Sequence, residues 1–269
     1  MYIGVTRDYL VKLAKEAVRL GVRVGGGVHF MVEPRYLKTL ASLVSGMATL
    51  EVGFGLGFLT MYLNQSASHV YACDVDWRMA YAVKALKMPL GDVDLFICDA
   101  LSFKPARSLA VASNMPYNIT SPLLIRLMRD YKPIKLALTV QREVAHRIMA
   151  KPGSRNYGRL SVISQCLMNI SYIATIPPSA FWPRPRVYSA IVELTPKEPC
   201  GNIDAIEWFT GRVFTQPNRV LRGVLRRVFG EESLKYTPPE LLGKRVRELG
   251  LSEVAELAQA LWPLRGELR

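Results

Sequence analysis

The spacing of apolar residues predicts that helices and strands alternate along the first half of the chain. Leu10, Leu13, Ala14 and Ala17 recur at helical intervals, so residues 6–20 are predicted to form an amphipathic helix. Short apolar runs typical of buried strands follow at 48–52, 69–73, 93–97, 109–113 and 134–140. The segments between and after these runs are predicted to be helices, at 57–65, 77–86, 120–130 and 142–150. This alternation predicts the α/β class, with a parallel sheet and helices on both faces.

The pattern changes in the last third of the chain. Two strand-like runs, 170–176 and 187–194, flank a proline-rich stretch and are expected to pair at the sheet edge. Beyond them only helical patterns recur, at 203–215, 218–229 and 252–262. We therefore predict two domains. The first is a larger α/β domain over 1–198 with an N-terminal helical segment, 1–45, and the second is a small helical domain over 199–269.

Composition narrows the class of partner. Lys and Arg total 35 against 22 acidic residues, and the formal charge of +13 favours a polyanionic partner. The four cysteines lie far apart without a C-x-x-C pair, so no metal site is predicted. Three of them sit in apolar stretches and are interpreted as core residues in a reducing compartment. No apolar run is long enough to span a bilayer and no secretory signal is evident, so we expect a cytoplasmic protein.

A glycine-rich segment, Glu51 to Gly57, follows an apolar strand and opens a helix. A dinucleotide fingerprint would need its third glycine at position 58, which is Phe58. The spacing disfavours NAD and favours a smaller nucleoside ligand that has no pyrophosphate. Glu51 is placed to orient the loop or to meet the ammonium group of a methionine moiety. The glycines predicted to contact the ligand are Gly53, Gly55 and Gly57.

Carboxylates end the next two strands. Asp74 comes about 20 residues after the glycines, where its oxygens can accept from both ribose hydroxyls. Asp76 is better placed than Asp74 to cap the following helix. Asp99 ends the next strand and can accept from an adenine amine. The adjacent Val75 and Ala100 complete this predicted nucleoside site, because ligands of open α/β sheets bind at the carboxyl edge.

The tetrapeptide Asn114-Met115-Pro116-Tyr117 follows the strand 109–113. The Asn114 oxygen and a backbone carbonyl can accept from the N–H groups of an exocyclic adenine amine and favour its attack on a methyl group. Pro116 stiffens the turn, and Tyr117 offers a stacking face to a base taken out of its stack. Alone, this would be an ordinary Asn-Pro-type turn. Because it follows the nucleoside site, the four residues are predicted to be catalytic, with Asn114 also contacting the cofactor.

Together these blocks resemble the ribosomal RNA adenine N6-dimethyltransferase family over about residues 25–230. Its members dimethylate two adjacent adenosines near the 3′ end of small-subunit rRNA. Residues 27–32 are similar to the family's cofactor-clamping segment, which implicates His29 and Met31. The blocks 141–145 and 157–161 are highly specific to the family. The resemblance implies a Rossmann-like methyltransferase fold with S-adenosylmethionine as cofactor. The implied partner is small-subunit rRNA or an immature small ribosomal subunit. The protein is expected to be a monomer that does not bind a membrane.

The segment 178–183 is similar to the family's proline-rich segment, which implies that Phe181 faces Tyr117 across the target base. The chain departs from the family at Val28, where a Gln usually helps to hold the methionine end of the cofactor. Phe54 replaces a common Pro, and Tyr188 a common Asp.

Three alternatives compete with this interpretation. Large-subunit rRNA methyltransferases that confer antibiotic resistance share the core, but the continuation 118–122 and the loop 151–158 are more like the small-subunit group. A catalytically silent nucleic-acid-binding relative is disfavoured by the intact Asn114–Tyr117 motif and by Asp74. An NAD-dependent dehydrogenase is disfavoured by Phe58.

A basic stripe in the helical stretch 218–229 is the first candidate for RNA contact. Arg219, Arg222 and Arg226 recur at i, i+3 and i+7, and no acidic residue lies between 218 and 230. Charge runs are usually solvated helix faces. Because the whole chain is basic, we instead predict that this stripe contacts rRNA phosphates and that domain 199–269 binds RNA. A second set of candidates comprises Arg142, Arg147 and Lys151.

Overall fold

A computed structural model describes residues 5–106 and 108–266, and the chain divides into two compact units. Unit 1 comprises Met1–Ala145 and Ile170–Pro196, and unit 2 comprises His146–Asn169 and Lys197–Arg269. The predicted boundary after residue 198 falls just beyond Pro196. The segment 146–169, however, packs with unit 2, although it was predicted to belong to the first domain. The outer residues 1–4 and 267–269 of the two predicted domains lie outside the described residues, as does residue 107.

The helices and strands are numbered in chain order. The α-helices are α1 (Arg7–Arg19), α2 (Pro34–Leu43), α3 (Phe58–Leu63), α4 (Trp77–Ala85), α5 (Thr120–Arg129), α6 (Arg142–Ile148), α7 (Arg159–Leu167), α8 (Ile203–Val213), α9 (Leu221–Phe229) and α10 (Leu251–Leu261). The strands are β1 (Phe30–Met31), β2 (Ala48–Val52), β3 (His69–Asp74), β4 (Asp94–Ile97), β5 (Ala110–Asn114), β6 (Lys135–Gln141), β7 (Met168–Ile176), β8 (Phe181–Trp182) and β9 (Ser189–Pro196). The predicted elements are all present with ends displaced by a few residues, whereas α7, β1 and β8 were not predicted.

Seven strands form one sheet in the order β4-β3-β2-β5-β6-β9-β7. The neighbours from β4 to β6 are parallel, and β9 runs antiparallel to β6. The predicted parallel sheet is therefore confirmed, and β9 and β7 are neighbours at its edge as expected. Because β2, β3, β4 and β5 are parallel, the residues that follow them meet at one edge of the sheet.

Local sequence explains how the helices of unit 1 begin and which face they bury. Thr6 caps α1 by accepting from the Tyr9 backbone N–H, and Pro34 occupies the first turn of α2. Asp76 caps α4 through the Arg78 backbone N–H, which confirms its predicted role. The buried face of α1 is the predicted one, formed by Leu10, Leu13, Ala14 and Ala17.

A two-stranded sheet joins the N-terminal segment to the proline-rich segment. β1 pairs antiparallel with β8, so that Phe30 lies opposite Trp182 and Met31 opposite Phe181. The carbonyl of Ala180 accepts from the backbone N–H of Val32 at 2.8 Å and extends the connection. Residues far apart in sequence are thus held together beside the main sheet.

Unit 2 buries its own apolar core, to which α7, α8, α9 and α10 contribute. Cys166 in α7 forms a disulfide with Cys200, with a Cα–Cα distance of 4.9 Å. Cys166 is buried in the core as expected, but its disulfide departs from the reduced state that a reducing compartment implies. The spacing of 34 residues gave no local signal of the bond. In the part of the chain that the structure describes, no helix combines the length and apolar character needed to cross a membrane.

Candidate active site

A cavity of about 260 Å³ opens at the carboxyl edge of the parallel strands in unit 1. Its wall contains most of the predicted site residues, namely His29, Gly53, Gly55, Asp74, Val75, Asp99, Ala100, Asn114, Met115, Pro116 and Tyr117. Sequence reasoning missed other wall residues, among them Cys73, Cys98 and Leu123. Residues that follow parallel strands therefore bring the predicted nucleoside site and the predicted catalytic motif to the wall of one cavity.

The glycine loop turns tightly under this cavity. Gly53 and Gly55 have φ of +77° and +53°, and a Cβ on Gly55 would lie 3.3 Å from the Phe30 ring. Gly57 does not line the cavity. It precedes α3 with φ of +74°, and a Cβ there would lie 2.7 Å from Leu90 Cδ2. Gly57 therefore has a structural role in place of the predicted ligand contact, because the absence of a side chain lets Leu90 pack against its backbone.

Asp74 ties the glycine loop to the start of the next segment. Its Oδ2 accepts from the Gly55 backbone N–H and its Oδ1 from the Asp76 backbone N–H, both at 2.9 Å. Burial raises the pKa of Asp74, and these two N–H donors act in the opposite direction. Each oxygen keeps a further lone pair for a ligand hydroxyl, which fits the predicted ribose contact.

The segment that follows β4 contributes Cys98, Asp99 and Ala100 to the cavity wall. Asp99 is exposed, and its Oδ1 accepts from the Leu101 backbone N–H at 2.9 Å, which fixes the carboxylate at the cavity. Cys73 and Cys98 each precede one of the wall carboxylates and are free thiols. The apolar context of these cysteines indicated core residues and gave no sign that they reach the cavity.

Asn114 has a buried side-chain oxygen, Oδ1, without a hydrogen-bond partner among the described residues. Its Nδ2 donates to the backbone carbonyl of His29 at 2.9 Å. A buried acceptor left unpaired costs free energy, so a ligand N–H is the expected partner. The fixed amide nitrogen leaves the oxygen as the acceptor offered to a ligand.

His29 and Ser189 hold Tyr117 in place. The rings of His29 and Tyr117 have centroids 5.2 Å apart, and His29 Nδ1 is 2.8 Å from the Pro183 carbonyl. The Tyr117 hydroxyl and Ser189 Oγ form a hydrogen bond of 2.5 Å. Burial raises the pKa of Tyr117, so the phenol is neutral at physiological pH. His29 was predicted only as a cofactor contact, and the structure shows it also orienting Asn114 and Tyr117.

Glu51 and Met31 line a separate small cavity of about 40 Å³, whose wall shares Gly53, Gly55 and Asn114 with the main one. Glu51 is fully buried, and Thr60 Oγ1 donates to its Oε2 at 2.6 Å. Burial raises the pKa of Glu51 to about 8, although the bond from Thr60 lowers it. The glutamate therefore lies under the loop in its neutral form at pH 7, in the free protein.

Replacing this carboxyl should stabilise the free protein at neutral pH. Protonated Glu51 is favoured in the folded state, because folding raises its pKa from 4.5 to about 8. The contribution of this residue to the stability of the wild type is therefore full below pH 4.5 and is lost as the pH rises to about 8. Glu51→Gln keeps an acceptor for Thr60 and carries no such proton. Urea unfolding without ligand should show the variant more stable than wild type by roughly 2–4 kcal/mol at pH 7, and equal to it near pH 4. A difference between the two proteins that is independent of pH would contradict the buried, neutral state.

Comparison with known proteins identifies the family. A model of the family described as ribosomal RNA adenine dimethylase matches residues 29–259. The chain belongs to this family. A probable ribosomal RNA small subunit methyltransferase A of Pyrobaculum aerophilum is 40% identical over 231 residues, covering 85% of this chain and 94% of the relative. A relative of the same description from Methanopyrus kandleri is 34% identical over 275 residues, covering 94% and 97%.

Solved structures share the fold of this adenine dimethylase family member. A dimethyladenosine transferase from Plasmodium falciparum superposes with a TM-score of 0.72 at 24% identity, covering 86% of this chain and 97% of that one. The 23S rRNA methyltransferase ErmE gives 0.64 at 21% identity, covering 86% and 99%. The predicted Rossmann-like methyltransferase fold and the predicted family are confirmed.

The structure does not place Phe181 where the family resemblance implied. Its side chain is 1% exposed, lies in the apolar core of unit 1 and does not line the cavity that contains Tyr117. The pairing of β8 with β1 turns this ring into the protein. The cavity wall therefore does not bring Phe181 and Tyr117 together, and Phe181→Ala would remove core packing. Val28, the departure from the family's Gln, does line the cavity.

The predicted arginine stripe of this family member is only partly on a helix. α9 begins at Leu221, so Arg219 lies in the preceding turn, while Arg222 and Arg226 are exposed on the helix. Glu231, just beyond the acid-free stretch, forms a two-point ion pair with Arg226. The absence of acidic residues between 218 and 230 therefore does not leave Arg226 unpaired, because Glu231 follows the end of α9 and neutralises it.

The second basic set starts at the end of β6. Arg142 is exposed, and its guanidinium lies 4.8 Å from the centre of the Tyr188 ring, so the departure at Tyr188 is explained by packing. Arg147 is half-buried, and its carbonyl accepts from Ser161 Oγ at 2.6 Å. Lys151 is exposed. RNA contact by any of these residues stays a prediction.

Proposed function

We propose that the protein transfers methyl groups from S-adenosylmethionine to the N6 amines of two adjacent adenosines near the 3′ end of small-subunit rRNA. The observation that carries this is the buried, unpaired Asn114 Oδ1 in the wall of a cavity that also contains two strand-end carboxylates. S-adenosylmethionine supplies a methyl group on a sulfonium. The large-subunit alternative has less support, because the relatives of 34–40% identity are named for the small subunit.

The residues of this chain do the positioning. Asn114 Oδ1 accepts one N–H of the adenine amine, and the carbonyl of Met115 accepts the other. These bonds draw the nitrogen toward the pyramidal shape of the attack, so they strengthen in the transition state. Tyr117 stacks on the base, and its ring is held by His29 and Ser189. No strong base is needed, because the proton leaves to water after the transfer.

The cofactor fits the remaining wall of the cavity. Asp74 would accept from the ribose hydroxyls and Asp99 from the adenine amine, with Val75 and Ala100 against the adenine ring. Gly53 and Gly55 give close backbone approach. His29 and Met31, in the segment 27–32, would hold the cofactor from the other side, and Glu51 would become charged on meeting the methionine ammonium.

The partner we propose is small-subunit rRNA, free or in an immature small subunit, bound by a monomer in the cytoplasm. The decisive assay incubates the purified chain and labelled S-adenosylmethionine with small subunits from a strain that lacks such methylation. Mass spectrometry of the digested RNA should show N6-dimethyladenosine in the 3′-terminal region. Dimethyladenosine in large-subunit rRNA alone would overturn the choice of substrate, and the absence of methyl transfer to any RNA would overturn the activity.

The arginines of unit 2 give a separate prediction about RNA affinity. Changing Arg219, Arg222 and Arg226 together to Glu should weaken RNA binding broadly, because phosphate contacts carry no sequence information. The slope of log affinity against log salt should flatten by about 0.7–0.9 per lost contact. Arg222→Glu alone should cost more affinity than Arg226→Glu, because Glu231 already pairs with Arg226. Cofactor affinity is the control, and an RNA affinity and salt slope equal to wild type would place the footprint elsewhere.

A further inference from the structure

An exposed aromatic stripe runs along α4 from the mouth of the cavity. Trp77 is 65% exposed, and of the large apolar side chains of the described residues only Val75, in the cavity wall, is more exposed. Tyr81, one helical turn beyond Trp77, is 53% exposed. Large apolar side chains are seldom left this exposed in a cluster without a partner. The stripe is defined here as Trp77, Tyr81 and Lys84.

Helical geometry places the stripe on one face. Residues 77, 81 and 84 are at i, i+4 and i+7, while the opposite face of α4 is buried through Met79, Ala82 and Val83. The two residues that precede the helix, Val75 and Asp76, line the cavity. The stripe is therefore continuous with the candidate active site and lies within the same unit.

The helix that carries the stripe and the turn after it have a basic sequence. From residue 77 to residue 91 the chain carries Arg78, Lys84 and Lys87 and no acidic residue. Arg78 neutralises Asp76 through two contacts of 2.7 and 2.6 Å, so the net positive charge of this stretch comes from Lys84 and Lys87. Exposed rings beside cations are the composition of a single-stranded nucleic-acid platform, because bases stack on the rings and phosphates meet the cations. A protein partner would disfavour lysines at the centre of its contact.

We propose that the stripe on α4 binds a single-stranded segment of the RNA substrate, with Trp77 and Tyr81 stacking on unpaired bases that flank the target adenosine. This inference rests on the proposed function, since it adds a contact for the same RNA. Trp77 and Tyr81 are positioned outside the catalytic cavity, so they act on RNA affinity and not on methyl transfer itself.

Fluorescence polarisation with a labelled 12-nucleotide oligoadenylate tests the stripe. Trp77→Ala should weaken RNA binding by about 5- to 100-fold, the loss expected for one stacked base, and Trp77→Phe should lose much less. The methylation assay should show a raised KM for RNA with kcat retained. Ile134→Ala is the matched control, because Ile134 is 50% exposed but lies at the amino end of β6, whereas the cavity lies at the carboxyl ends of the parallel strands. Affinity for S-adenosylmethionine should be unchanged in all three variants.

The outcomes separate this inference from the proposed function. If the wild type methylates small-subunit rRNA and Trp77→Ala matches it in both RNA affinity and KM, the stripe does not bind RNA and the proposed function stands. If Trp77→Ala instead abolishes a self-association seen by sedimentation without changing RNA affinity, the stripe is a protein interface and the inference is overturned. A wild type that neither binds nor methylates RNA overturns both.

Discussion

Asn114→Ala should bind S-adenosylmethionine within a few fold of wild type and lose about 10²- to 10³-fold in the single-turnover rate of methyl transfer. The loss is of the size found when one preorganised hydrogen-bonding group is removed from a reacting centre. The Asn114 oxygen has no protein partner among the described residues, so its removal leaves no unpaired donor in the wall. The same change removes the Nδ2 donor of the His29 carbonyl, so the unfolding of the variant is measured as well. Single-turnover methylation with saturating RNA, together with calorimetry of cofactor binding, measures the two effects separately.

A second asparagine in the same wall provides the matched control for this change. Asn118 also lines the cavity, and Asn118→Ala deletes the same amide group without touching the contact between Asn114 and His29. It should keep most of the rate. If Asn114→Ala turns over at the wild-type rate, Asn114 is structural and the proposed chemistry fails. Equal thermal unfolding of both variants would show that the comparison is not one of stability.

The helices and strands with a clear period could be predicted, because the polarity of each residue indicates whether it is buried or exposed. Five apolar strand-like runs separated by helices imply a parallel sheet, and a parallel sheet places Asp74, Asp99 and Asn114 at one edge. The pattern did not show that β4 is half-exposed. That chain of reasoning needs no knowledge of contacts between distant residues. The carboxyl edge of the sheet could therefore be predicted as the candidate site from the sequence alone.

Contacts between distant segments were beyond such reasoning. β1 and β8 have two residues each and so no measurable period, yet their pairing buries Phe181 away from the cavity. The partner that fixes the Asn114 amide is a backbone carbonyl 85 residues away, and a carbonyl leaves no mark in the side-chain sequence. The same holds for the ion pair between Arg226 and Glu231, which depends on how the chain turns after α9.

Asp74→Ala should weaken binding of S-adenosylmethionine by roughly 10²- to 10⁴-fold. The carboxylate would accept from two ribose hydroxyls, and each hydrogen bond to a charged group contributes about 1.5–3 kcal/mol. The loss should appear in cofactor affinity measured by calorimetry, and the RNA affinity of the cofactor-free protein should be unchanged. An unchanged cofactor affinity in a folded variant would remove Asp74 from the site.

A purely structural role of Asp74 also predicts some loss, because its oxygens accept from the backbone N–H groups of Gly55 and Asp76. A cofactor analogue that lacks the ribose 2′-hydroxyl distinguishes the two roles. If Asp74 contacts that hydroxyl, the analogue binds the wild type more weakly than S-adenosylmethionine does, while Asp74→Ala binds the two equally. If Asp74 only holds the glycine loop, the substitution weakens both ligands by the same factor, and the penalty for the missing hydroxyl persists in the variant. The second result would assign the ribose to another acceptor in the cavity wall.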